Sequence, residues 1–148
     1  MSNQIIAQAS ATVNAPAAKV YTLLATPQLH ATFQDKPFYD FKVENDIQGA
    51  GAVVSFKIDF AGGAIAFRMV VTEPEPGHTL VWTDTNDSGL VTTYTVTDQG
   101  EQSMVTISSQ WDGQSGVIGA MEKFISPMRM KSVYKKELDR INAYVQNA

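Results

Sequence analysis

The first residues of the chain alternate in character. Ile5, Ala7, Ala9, Ala11 and Val13 fall on one side of an extended backbone, and Gln8, Ser10 and Thr12 on the other. A period of two belongs to a half-buried strand. The period then changes. Ala17, Val20, Tyr21 and Leu24 share one helical face, which predicts a short amphipathic helix over 15–25. Asn14 stands where its N-cap belongs, and Pro16 falls in the first turn, where a missing N–H costs no hydrogen bond. Thr26-Pro27 repeats the pairing ahead of Leu29 and Phe33, predicting a second short helix over 27–33.

From Phe38 the pattern is that of a strand meander. Glycine-bearing breaks at Gln48–Gly51, Ala61–Gly63, Glu75–His78, Asn86–Gly89 and Asp98–Gly100 separate six β-rich runs, 38–47, 52–60, 64–73, 79–86, 90–97 and 103–112. Connections this short predict antiparallel neighbours. The last segment, 116–146, reads as a long helix with a fault. Val117, Ile118, Met121, Phe124 and Ile125 form one stripe before Pro127, and Tyr134, Leu138, Ile141 and Val145 another after it. The stripes are offset by well over ~90°, more than one straight helix can bury, and Pro127 supplies the break. The whole predicts an α+β layer: a seven-stranded curved antiparallel sheet around a long C-terminal helix broken near Pro127, with two short helices between strands 1 and 2. Such a sheet and helix enclose a cavity wherever their own side chains fail to fill it.

Several segments carry a resemblance. They are Val13-Asn14-Ala15-Pro16 with Val20-Tyr21 and Leu23-Leu24; the Gly49-Ala50-Gly51 turn; Thr72–Gly77 leading to Leu80-Val81-Trp82; Phe124–Met128; and Leu138–Ile141. Over roughly 5–146 the chain resembles the START-like, Bet v 1-like (SRPBCC) superfamily, and within it the bacterial polyketide cyclase/dehydrase-like group. The resemblance implies the helix-grip fold in a single domain, 1–148. It implies function less sharply, because the superfamily holds lipid binders, hormone receptors, allergens, chaperone activators, and a few aromatases and cyclases.

Composition narrows the classes. At 148 residues with 44% hydrophobic and 18% charged residues, the chain suits one folded domain rather than disorder. The absence of cysteine excludes a disulfide framework, a thiol nucleophile and a thiolate zinc site. No apolar run reaches the ~18 residues of a membrane helix, and Met1–Asn14 does not read as a signal peptide. A cytoplasmic protein without stable membrane insertion is expected. The formal net charge of −4 is unevenly spread: residues 1–115 hold 5 basic and 12 acidic side chains, residues 116–148 hold 6 and 3. The basic end reads as a solvated helix face, and nothing indicates nucleic-acid binding.

Strand parity nominates the cavity wall. Val54, Phe56, Ile58 and Phe60 share one face, as do Ile65, Phe67, Met69 and Val71, and Val105, Ile107, Ser109 and Trp111. Leu80 and Trp82 carry Asp84 onto the inner face, and Leu90 and Val96 bracket Thr92 and Tyr94. The expected ligand-binding set is Phe56, Ile58, Phe67, Met69, Trp82, Asp84, Thr92, Tyr94, Ser109 and Trp111, with Met121, Phe124, Ile125 and Met128 from the helix break. A desolvated Asp84 beside Tyr94 is the candidate acid–base pair. His30 and His78 read as solvated helix and turn residues. No His-x-x-His pair, HExxH motif, phosphate loop or GxSxG elbow occurs, so neither metal nor cofactor is expected. Three functions follow: binding of a small hydrophobic or amphipathic molecule (a lipid, polyketide-like aromatic or isoprenoid), a cyclase, aromatase or dehydratase acting in the same cavity, or a protein-interaction module with a packed core. Oligomeric state is not legible.

Overall fold

A computed structural model describes residues 4–33, 38–60, 63–86, 88–112 and 127–147. The elements are β1 (Gln4–Val13), α1 (Ala17–Leu24), α2 (Pro27–Phe33), β2 (Phe38–Val43), β3 (Val53–Phe60), β4 (Gly63–Glu75), β5 (Thr79–Asp84), β6 (Val91–Gln99), β7 (Gln102–Asp112) and α3 (Pro127–Asn147). The strands form one seven-stranded sheet in the order β1-β7-β6-β5-β4-β3-β2. Every pairing is antiparallel. The sheet is a curled half-barrel with α3 in its grip, the α+β helix-grip architecture.

Strand parity holds along the meander. Val54, Phe56, Ile58, Phe67, Met69, Val71, Leu80, Trp82, Tyr94, Val96, Val105, Ile107 and Trp111 are all buried. In β1, Ala7, Ala9 and Val13 are buried, and α3 lies against that strand. The alanines therefore admit the helix closely; a larger residue there would hold it off the sheet. From α3 come Met130, Tyr134, Leu138, Ile141 and Val145, all buried, at helical spacings of three and four. Pro127 occupies the first helical position, where proline disturbs nothing. The predicted helical piece before it, with Val117, Ile118, Met121, Phe124 and Ile125, lies outside the described residues.

The structure corrects three local expectations. The residue flanking α1 is Pro16, with no side-chain cap; Asn14 instead ties β1 to its neighbours, its N–H donating to Asn142 Oδ1 at 3.0 Å and its Oδ1 accepting from Gln102 at 2.7 Å. β2 ends at Val43 rather than continuing to residue 47, because Asn45 takes over the backbone groups. Its Oδ1 accepts from Val53 N–H at 3.2 Å, and its amide donates to the Gly51 carbonyl at 3.1 Å. A short polar side chain competing for backbone in this way stops a strand. β5 ends at Asp84 instead of residue 86, for a reason that belongs to the site.

One buckle holds the helices to the open half of the sheet. Tyr21 of α1 donates its hydroxyl to Glu73 Oε2 of β4 at 2.5 Å, while Glu73 Oε1 accepts from Ala50 N–H at 2.7 Å. Gly49 next to it has φ +68° and donates to the Ala25 carbonyl at 2.9 Å. Glycine suits the position, since its φ lies in the left-handed region and a Cβ would push the Glu73 carboxylate off the bonds that hold it.

Candidate functional site

Between sheet and α3 lies a cavity lined by Phe38, Phe56, Ile58, Met69, Trp82, Leu90, Thr92, Tyr94, Trp111, Met130 and Tyr134. Six of the predicted residues are among them besides Trp111: Phe56, Ile58, Met69, Trp82, Thr92 and Tyr94. The lining is dominated by aromatic rings, and the room left for a water-sized sphere is about 20 Å³. That is space for about one water.

The other predicted residues have different surroundings. Phe67 is fully buried and stacks on Phe56 at 5.3 Å between ring centres, backing the wall rather than forming it. Ser109 is fully buried; it shares a 2.7 Å hydrogen bond with Thr92 and a short one with Tyr134. Asp84 does face inward by parity and is buried, but its carboxylate closes the turn after β5. Oδ1 accepts from Arg68 N–H at 2.9 Å, and Oδ2 accepts from the backbone N–H of Ser88 at 3.1 Å and from its hydroxyl. Those bonds hold the β4–β5–β6 corner, and they place Asp84 outside the cavity lining. Met128 is 80% exposed. With α3 starting at Pro127, Met128 lies about 200° around the helix from Met130, and Met130 takes the cavity position. Met121, Phe124 and Ile125 lie outside the described residues.

Two buried groups escaped the sequence reading. His30, expected in solvent, is fully buried: α2 turns it under the sheet, with its ring 4.4 Å from that of Trp82 and 5.7 Å from that of Tyr94. Its Nε2–H donates to the Leu24 carbonyl at 2.7 Å. Burial holds its pKa down to about 4, against a small upward pull from that carbonyl, so the ring is neutral. The second is Glu137 of α3, 1% exposed. Tyr94 donates its hydroxyl to Glu137 Oε2 at 3.2 Å, and Oε1 has no hydrogen-bond partner among the described residues. Burial pushes the Glu137 pKa up to about 8; the Tyr94 hydroxyl and the Arg140 charge pull the other way without overcoming it. Burial likewise raises the Tyr94 and Tyr134 phenols above their ordinary range. A signal for Glu137 existed: it stands three residues after Tyr134 and four before Ile141, on the buried stripe.

The site is thus an aromatic cavity backed by a polar seam. Thr92, Ser109 and Tyr134 form one hydrogen-bonded chain across β6, β7 and α3, and Tyr94 with Glu137 forms a second link from β6 to α3. Among the described residues, no group of three or more His, Cys, Asp or Glu is placed to hold a metal. No helix among them is long and apolar enough to cross a membrane.

Fold and cavity together define a helix-grip protein of the Bet v 1-like kind. A model of the polyketide cyclase / dehydrase and lipid transport family matches residues 4–146, and the chain belongs to that family. The solution structure of the KanY protein is similar over 97% of this chain and 99% of its own, with 26% identity and a TM-score of 0.83. Two plant structures share the fold. A major latex-like protein from Panax ginseng has 13% identity and a TM-score of 0.71, over 95% of this chain and 97% of its own. Norcoclaurine synthase from Thalictrum flavum, solved with dopamine and hydroxybenzaldehyde, has 15% identity and a TM-score of 0.67, over 99% and 88%. No curated protein matches the sequence.

Proposed function

We propose that the protein binds a small hydrophobic or amphipathic molecule in the cavity between the sheet and α3. The observation that carries this is the wall itself: Phe38, Phe56, Trp82, Tyr94, Trp111 and Tyr134 converge on one space, with a few hydroxyls placed to orient what enters, the composition of a small-molecule site. Membership of a family named for polyketide and lipid handling supports the same class of ligand. The unliganded room of about 20 Å³ means that an occupant must move side chains. Met69 and Met130, unbranched and adaptable, are the ones that yield. Native mass spectrometry of the freshly purified protein, with extraction of anything it carries, tests the proposal. A co-purifying apolar molecule of defined mass is expected. A clean apo mass, with no thermal shift from fatty acids, quinones or aromatic polyketides, would refute it.

The small free space also favours a second reading, a partner-binding module with a filled core, and the clean apo result would bring it forward. If the cavity is catalytic, Tyr94 and Glu137 are the groups to carry proton transfer, since Asp84 is engaged in its turn. Glu137→Gln would then abolish turnover and leave binding intact.

A further inference from the structure

Trp82 from β5 and Trp111 from β7 both line the cavity, at 2% and 1% exposure. The Nε1–H of each is buried without a hydrogen-bond partner among the described residues. Native structures leave very few buried polar groups unpaired, and two on one cavity wall call for an explanation. The indole nitrogen only donates, so each missing partner is an acceptor. The wall's own oxygens do not supply it. Thr92, Ser109 and Tyr134 bond among themselves, and Tyr94 bonds Glu137.

We infer that the cavity is built for a neutral apolar molecule bearing an acceptor oxygen, a ketone, quinone or lactone carbonyl, held by the indole N–H groups of Trp82 and Trp111. This rests on the ligand-binding reading above and narrows its ligand class. Among the described residues the lining contains no lysine, arginine or histidine, so a carboxylate would enter with no cation there to meet it. An amine would bring further donors to a wall that already has two to spare. In the empty protein one water fits the space. A hydrocarbon that displaces that water leaves the indoles unpaired again, whereas a carbonyl oxygen replaces it.

The chain has two tryptophans, so protein with 15N-labelled indole nitrogens gives two assignable N–H signals. It is titrated with 1-indanone, with its parent hydrocarbon indane, and with octanoate. We expect indanone to bind about tenfold more tightly than indane and to move at least one indole proton downfield, with octanoate weakest. Trp82→Phe and Trp111→Phe should each lower the ratio of ketone to hydrocarbon affinity. Where a variant fails to fold, the indole shifts of the unaltered protein decide alone. Equal affinity for ketone and hydrocarbon with unmoved indole protons, or octanoate binding best, would overturn the acceptor inference and leave the cavity as a binding site. If no probe binds, the ligand-binding reading falls with it.

Discussion

Glu137→Gln tests the electrostatics of the cavity most directly. The folded carboxyl has a pKa of about 8, against 4.5 for an ordinary glutamate. Below pH 4.5 it holds its proton in the folded and the unfolded chain alike, and its contribution to stability is complete. Between pH 4.5 and about 8 the unfolded chain releases a proton that the folded chain keeps. The contribution of Glu137 to stability therefore falls as pH rises, by about 1.4 kcal/mol per pH unit in the middle of that window. About 3 kcal/mol is gone by pH 7, and about 5 kcal/mol once the folded pKa is passed. For a domain with a stability of about 5–15 kcal/mol, that is a large fraction. Glutamine has no proton to lose, so the variant escapes the decline. Its amide brings two donors into a site built for a carboxyl, so at pH 5 the variant should be no more stable than the parent. Urea unfolding of both proteins at half-unit steps from pH 5 to 9 reads the difference. The variant should gain on the parent by several kcal/mol across the range. His30 titrates in both proteins and cancels in the comparison. A difference that stays flat from pH 5 to 9 would refute the reasoning, because Glu137 would then hold no proton that the unfolded chain loses.

Other sites give further expectations. Gly49→Ala combines a φ of +68° with a Cβ placed inside the Glu73 carboxylate, and should lower stability by about 2 kcal/mol or more in chemical denaturation; a neutral result would show that the Tyr21–Glu73–Ala50 buckle is slack. Asp84→Asn leaves the turn after β5 with one oxygen where two accepted, so thermal unfolding should show a loss of about 1–3 kcal/mol. Affinity for an apolar probe should not change, and a variant with full stability and no binding would return Asp84 to the cavity. His30, with a folded pKa of about 4 against 6.5 unfolded, makes stability fall as the pH drops through that interval, by about 3 kcal/mol in all. Glu137 titrates in parent and variant alike, so His30→Leu should gain on the parent by about that amount as the pH falls from 6.5 to 4, and a difference that stays flat would show that the ring is not the group responsible.

Most of the fold is legible because the sheet buries one face only. With a period of two, a single correctly placed pair such as Phe56 and Ile58 fixes the side of every residue on its strand, and the glycine turns set the lengths. What the pattern misses is chemistry. Asp84 lies on the face that parity assigns, yet the partner that engages it, Ser88, sits four residues on in a turn whose geometry no periodicity encodes. His30 occupies a seven-residue helix too short for a clear stripe, and its burial depends on Trp82 and Tyr94, far away in the chain. Glu137 has the spacing of the buried stripe, but a charged side chain is seldom fully buried, so the pattern alone does not single it out. Met128 shows the converse: a methionine near the break invites a cavity assignment, but the phase of α3 is set by Tyr134, Leu138 and Ile141, and it turns Met128 outward.

The polar seam bears on what the cavity is for. A core serving stability alone gains little from a carboxyl hydrogen-bonded to a phenol in a dry interior, because replacing both partners by apolar groups of the same shape is nearly neutral or stabilising. Removing one partner is different, because it leaves the other buried and bare. Tyr94→Phe should therefore destabilise, since among the described residues the Tyr94 hydroxyl is the hydrogen-bond donor that Glu137 has. The double variant Tyr94→Phe with Glu137→Leu should recover that loss and match or exceed the parent above pH 7, where the carboxyl weighs most against folding. Denaturant unfolding of the four members of this cycle gives the coupling directly. If the double variant is less stable than Tyr94→Phe alone, the pair is a structural clasp between β6 and α3, and its polarity needs no ligand to account for it. If it is as stable as the parent but takes up apolar probes differently, the seam is retained for what the cavity holds.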